Sequence, residues 1–80
     1  MTVKVLAFGI VKEIFSATVI EAELNDLSKV EDLKMLLEEK YPRLQHLRSY
    51  MIAVNSEYAP MENIIAVNDE IAIIPPVSGG

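Results

Sequence analysis

The sequence predicts an α+β domain in which one principal helix covers one face of a sheet of short strands. Three observations carry that prediction. Short β-branched runs lie towards both ends of the chain, one amphipathic helical stripe lies between them, and strands and helices do not alternate as repeating βαβ units. With 80 residues and 51% hydrophobic content, the composition argues against disorder. A chain this short buries about 60% of its unfolded surface, enough for one modest core. One domain is therefore expected over residues 1–74, with an extended tail over residues 75–80.

The first strand is Val3-Lys4-Val5-Leu6-Ala7-Phe8, with Val3, Val5 and Ala7 on one face and Lys4, Leu6 and Phe8 on the other. Gly9 releases it into a turn, and Ile10, Val11, Ile14 and Phe15 have the spacing of a short helical turn. Residues 17–24 read as a second strand, antiparallel to the first across a long connection. Ser28 followed by Glu31 forms an S-x-x-E capping box that opens the main helix. From Val30 its apolar stripe runs through Leu33, Leu37 and Tyr41 with Leu36 beside it, while Glu38 and Glu39 belong to the solvated face. Pro42 ends it, and Leu44 to Leu47 suit one more turn.

Tyr50 to Val54 is a third strand, returning through Asn55-Ser56 to Glu57-Tyr58-Ala59. Asn-Ser is a weaker hairpin signal than Asn-Gly, which leaves the turn type open. After Pro60 and an irregular stretch, Asn68-Asp69 turns the chain into a last strand, Glu70 to Ile74.

Several function classes fall away on composition. The chain has no cysteine, which removes disulfides, thiolate metal sites and cysteine nucleophiles. Its single histidine, His46, has no acid at helical spacing and no companion ligand, so a solvated side chain is expected rather than a catalytic or metal role. Nor do the dispersed carboxylates suggest a catalytic pair. A net charge of −5 disfavours nucleic acid and favours a basic partner surface. No apolar run approaches the ~20 residues needed to span a bilayer, and MTVKVLAFG lacks the pattern of a secretory signal, so a cytoplasmic protein is expected.

The most informative segment is Pro75-Pro76-Val77-Ser78-Gly79-Gly80. Two prolines hold its base extended, and the final glycines carry no side chain to obstruct a narrow channel. Extended, these residues reach about 20 Å at roughly 3.3 Å each. A terminal carboxylate could thus be presented to another protein, with the Gly80 carbonyl accessible to an activating enzyme.

The VKVLAFG strand, the ELNDLSKVEDLKMLLEEKYP passage, the AVNSEY hairpin and the NDEIAIIPPVSGG ending together resemble the ubiquitin-like β-grasp sulfur carriers, among them small subunits of molybdopterin synthase. The resemblance spans the whole chain. It implies a mixed sheet packed on one helix, and a Gly80 carboxylate that an adenylating enzyme activates with ATP and a sulfur donor system converts to a thiocarboxylate. It further implies insertion of the tail, Gly79 included, into the large synthase subunit, in a heterotetramer with two copies of each subunit. There sulfur would pass to cyclic pyranopterin monophosphate to build the dithiolene. No tightly bound cofactor is implied, and the chain would be a sulfur-donating subunit rather than an enzyme alone. Carriers for thiamine, tRNA thiolation or cysteine synthesis, and ubiquitin-like protein modifiers, share the same plan and remain alternatives.

Alternation independently places Leu6, Phe8, Ala72 and Ile74 on the sheet face away from the helix, which is too apolar to stay wet without a partner. The resemblance implies that Phe8, Tyr58 and Ile74, with Pro75, Pro76 and Val77, make the large-subunit contact. Asn68 stands where the family commonly has glycine, a replacement that a left-handed turn would tolerate.

Overall fold

The computed structural model describes residues 1–47 and 49–76. In chain order the elements are β1 (Thr2–Ala7), α1 (Ile10–Phe15), β2 (Val19–Glu23), α2 (Val30–Lys40), a 3-10 turn (Pro42–His46), β3 (Met51–Val54), β4 (Glu57–Tyr58) and β5 (Glu70–Ile74). The strands form one mixed sheet in the order β2-β1-β5-β3-β4. The central pair, β1 and β5, is parallel, with Val5 opposite Ile71 and Ala7 opposite Ile73. The other pairs are antiparallel. This is the β-grasp plan, with the first and last strands side by side in mid-sheet.

Alternation decides which side of the sheet is covered. Val3, Val5, Ala7, Ile52, Ile71 and Ile73 are buried, as are Val30, Leu33 and Leu37 on α2. Leu44, Ile65, Val11, Ile14 and Phe15 join the same core. The Phe15 and Tyr41 rings meet with centroids 4.5 Å apart and planes tilted by 41°, fastening α1 to the end of α2. Truncating Leu33 or Leu37 to alanine would cost about 2–5 kcal/mol, because a core this small has little material with which to close the cavity.

The main helix starts one residue later than the S-x-x-E pattern places it. Lys29 is the N-cap residue, and its N–H donates to the Asp32 carboxylate at 2.8 Å, so Asp32 rather than Glu31 provides the return hydrogen bond. Ser28 is buried, and its hydroxyl donates to the Asn25 carbonyl at 2.7 Å. The free amides at the start of α2 find their partners elsewhere: Val30 N–H donates to Asn63 O and Glu31 N–H to Met61 O, both at 2.9 Å. The loop after β4 thus caps the helix with backbone carbonyls, an arrangement invisible to a local pattern.

Glu38 also departs from expectation. Rather than standing fully in solvent it is partly covered, accepts a hydrogen bond from the Tyr50 hydroxyl, and pairs with Lys34 at 2.9 Å. The Tyr50 and Lys34 hydrogen bonds hold its carboxyl below the ordinary range, while burial and the same carboxylate push the Tyr50 phenol upward. Tyr50 therefore precedes β3 and ties it to α2 instead of extending the strand.

At the other hairpin, Asn55 and Ser56 have φ of 53° and 71°. Positive φ at both central residues is the type I′ geometry whose twist suits a two-residue hairpin, so the turn forms without glycine. Asn68 is not in the left-handed region; the turn before β5 is closed by Asp69, whose N–H donates to Ala66 O while its carboxylate accepts the Ala66 N–H at 2.7 Å. Among the described residues, no helix is long and apolar enough to cross a membrane.

Candidate functional site

The sheet face away from α2 is organised in rows by the strand registers. One row crosses all five strands as Val19, Leu6, Ala72, Ala53 and Tyr58. A second, nearer the C-terminal end of β5, places Ile74 opposite Met51, with Phe8 one step beyond Leu6 along β1. Both rows are apolar. Phe8 is 45% exposed, Met51 49% and Tyr58 65%, values far above those of the buried face. Side chains of this size lose favourable burial when wet, about 25 cal/mol per Å² of apolar surface, so a contiguous group of them is a candidate docking surface.

Phe8, Tyr58 and Ile74 line one shallow depression of about 330 Å³, floored by Leu6, Ala53 and Ala72 and edged by Ser56 and Glu70. The small alanines make the hollow and the aromatics make its walls. Three of the expected contact residues, Phe8, Tyr58 and Ile74, thus share one depression, and Met51, opposite Ile74, extends the patch. Sequence reasoning omitted Met51, although it shares parity with Ala53 on β3 and stands opposite Ile74.

Pro75 follows Ile74 directly and is half-buried, while Pro76 is exposed. Pro75 sits against Gly9, where φ is +54° and an added Cβ would lie 3.0 Å from the Pro75 Cγ. Glycine is required there for two reasons: the backbone conformation and the close approach of the ring. The base of the tail is therefore seated in the turn that follows β1, at the edge of the apolar depression. Val77, Gly79 and Gly80 lie outside the described residues, as does Ser78.

Catalytic groups do not converge elsewhere in the described residues. His46 is exposed on the 3-10 turn. No three His, Asp or Glu side chains among the described residues are placed to hold a metal ion. What the described face can do is bind a partner beside the point where the chain leaves the sheet.

Comparison with known proteins gives a consistent picture. Residues 5–80 match the sequence profile of the ThiS family. The molybdopterin synthase sulfur carrier subunit of Mycobacterium tuberculosis is 40% identical over 80 residues, covering 98% of this chain and 96% of that protein. That of Dictyostelium discoideum is 42% identical over 81 residues, covering 96% and 94%. Among solved structures, a putative molybdopterin converting factor subunit 1 from Pyrococcus furiosus superposes with a TM-score of 0.89 at 22% identity, covering 96% of this chain and 99% of that one. A complex of subunits 1 and 2 of the molybdopterin-converting factor from Helicobacter pylori matches with a TM-score of 0.72 at 26% identity, covering 100% of both chains.

Proposed function

The chain belongs to the ThiS family, and from that membership we propose that it is the sulfur carrier subunit of a molybdopterin synthase. The observation that carries this reading is end-to-end identity of 40% and 42% with proteins of that name. The apolar depression beside Pro75 supports it physically, because a partner docked there stands next to the base of the tail.

In this reading residues 75–80 are the working arm and residues 1–74 the handle. An activating enzyme joins the Gly80 carboxylate to AMP from ATP, releasing pyrophosphate. A sulfur donor then displaces AMP, leaving a thiocarboxylate. The tail enters the large synthase subunit, with Gly79 and Gly80 narrow enough for a confined channel. Phe8, Tyr58, Ile74, Pro75, Pro76 and Val77 form the contact, and two copies of each subunit assemble. Sulfur passes to cyclic pyranopterin monophosphate, water supplies the oxygen that replaces it on the Gly80 carbonyl, and Gly80 returns as a carboxylate. Binding and positioning are this chain's contribution; the reacting pocket lies mainly in the large subunit, and the site of action is the cytoplasm.

Intact-mass measurement after incubation with the activating enzyme, ATP and a sulfur source tests the proposal. A mass rise equal to replacing one oxygen by sulfur is expected, with none after deletion of Gly80. Loading of the Gly80-deleted chain, or lysine-linked adducts alone, would overturn it.

A further inference from the structure

The apolar rows on the open sheet face end at a charged one. Lys4 stands opposite Glu21 on β2 and opposite Glu70 on β5. The three side chains therefore form a row, anion–cation–anion, parallel to Val19-Leu6-Ala72 and one step further from the tail. All three are exposed. Directly opposed charges on neighbouring strands are well placed to pair. Yet among the described residues the ion pairs are Met1 with Glu23 and Lys34 with Glu38, and none joins Lys4 to either flanking glutamate. The next step along behaves differently: Thr2 donates to the Glu23 carboxylate at 2.5 Å and so occupies it within the chain.

We infer that Glu21, Lys4 and Glu70 are the polar rim of the docking face and read a complementary cation–anion–cation row on the large synthase subunit. This rests on the sulfur-carrier reading and adds the chemistry of the partner surface to it. An apolar patch holds a partner but fixes orientation poorly, because sliding by one residue still buries greasy surface. A charged row on one side only removes that freedom: a partner rotated half a turn would lay its charges on Phe8, Met51 and Ile74. The orientation so selected points the exit at Pro75 towards a single place on the partner. The two carboxylates outnumber the one ammonium, so the rim also attracts a basic surface at long range.

The test is association of the intact chain with the large subunit of the same organism, followed by stopped-flow at low and high salt. Glu21→Lys/Glu70→Lys is expected to slow association about tenfold at low salt and to remove most of its salt dependence, with a smaller effect on dissociation. Glu21→Gln/Glu70→Gln, which adds no charge of the wrong sign, is expected to slow it about threefold and guards against misfolding of the first variant. Glu39→Lys/Glu62→Lys makes the same change in net charge elsewhere and is expected to stay within about twofold of the unmodified chain. Equal rates and salt slopes for rim and unmodified chains would overturn the inference, as would equal slowing by the rim and distant pairs. A chain that loads sulfur yet never binds the large subunit would overturn it while leaving the carrier chemistry standing. One that neither loads nor binds would overturn both.

Discussion

The Asn55 side chain spans two turns: its Nδ2 donates to Asp69 Oδ1 at 2.8 Å, and its Oδ1 accepts the Glu70 N–H at 3.0 Å. Its backbone N–H donates to Glu70 O at 2.8 Å as well. One residue thus sets the β3–β4 hairpin, through its positive φ, and fixes the start of β5. Asn55→Ala should lower stability by about 1–2 kcal/mol, combining left-handed strain with the lost hydrogen bonds. Chemical denaturation checks this, and Asn55→Asp, which retains the acceptor but sets a carboxylate against Asp69, should recover little.

The seat of Pro75 makes a second prediction. Gly9→Ala combines strain at φ +54° with a Cβ 3.0 Å from the Pro75 ring, so Pro75 must move by a few tenths of an ångström. A loss of about 1–3 kcal/mol is expected, or roughly 4–8 °C per kcal/mol in a domain this small. Adding Pro75→Ala should relieve the part due to contact and leave the part due to strain, which a double-mutant cycle separates.

Acidification should weaken the tie between α2 and β3. Glu38 titrates below its ordinary range in the folded chain because Tyr50 and Lys34 hydrogen-bond its carboxylate. A depressed folded value means the unfolded state takes up the proton first, so the stabilisation is complete above the unfolded carboxylate range and disappears as pH falls through the folded one. Denaturant midpoints measured from neutral to acid pH should therefore fall less steeply for Tyr50→Phe than for the unmodified chain.

Leu27 offers a stabilising change. It has φ of 66° and is 75% exposed, a branched apolar side chain in a conformation suited to glycine or asparagine. Leu27→Asn should raise stability by about 1 kcal/mol, seen as an upward shift of the melting midpoint by several degrees.

At the proposed interface, Phe8→Asp should reduce affinity for the large subunit by at least about 2 kcal/mol, since it places a charge in the apolar depression. Calorimetric titration measures it. Loading at Gly80 in the presence of bound large subunit is not required for this outcome.

The period-two alternation of Val3, Val5 and Ala7 and the stripe of Val30, Leu33 and Leu37 make the layered core legible, because each reports a local geometry repeated several times. Adjacency of β1 and β5 is not encoded locally; in sequence terms alone β5 is only a strand, and its parallel partner lies at the other end of the chain. The capping of α2 by Met61 and Asn63, and the turn of Tyr50 towards Glu38, were hidden for the same reason. Phe8 and Ile74 could be assigned to the open face by parity, whereas Tyr58 needed the hairpin register, and Met51 was overlooked despite having the right parity. Residue types alone did not show that Lys4 would stand between two glutamates.

The position of β5 also has a mechanical side. A partner that draws in the C-terminal arm pulls along β5, which is hydrogen-bonded to β1 on one edge and β3 on the other. The bonds of the antiparallel ladder to β3 lie perpendicular to the pull and those of the parallel ladder to β1 are slanted to it, so both are loaded mainly in shear rather than unzipped one at a time. With Pro75 set against Gly9 at the exit, tension on the arm is passed to two strand ladders at once rather than to a single edge.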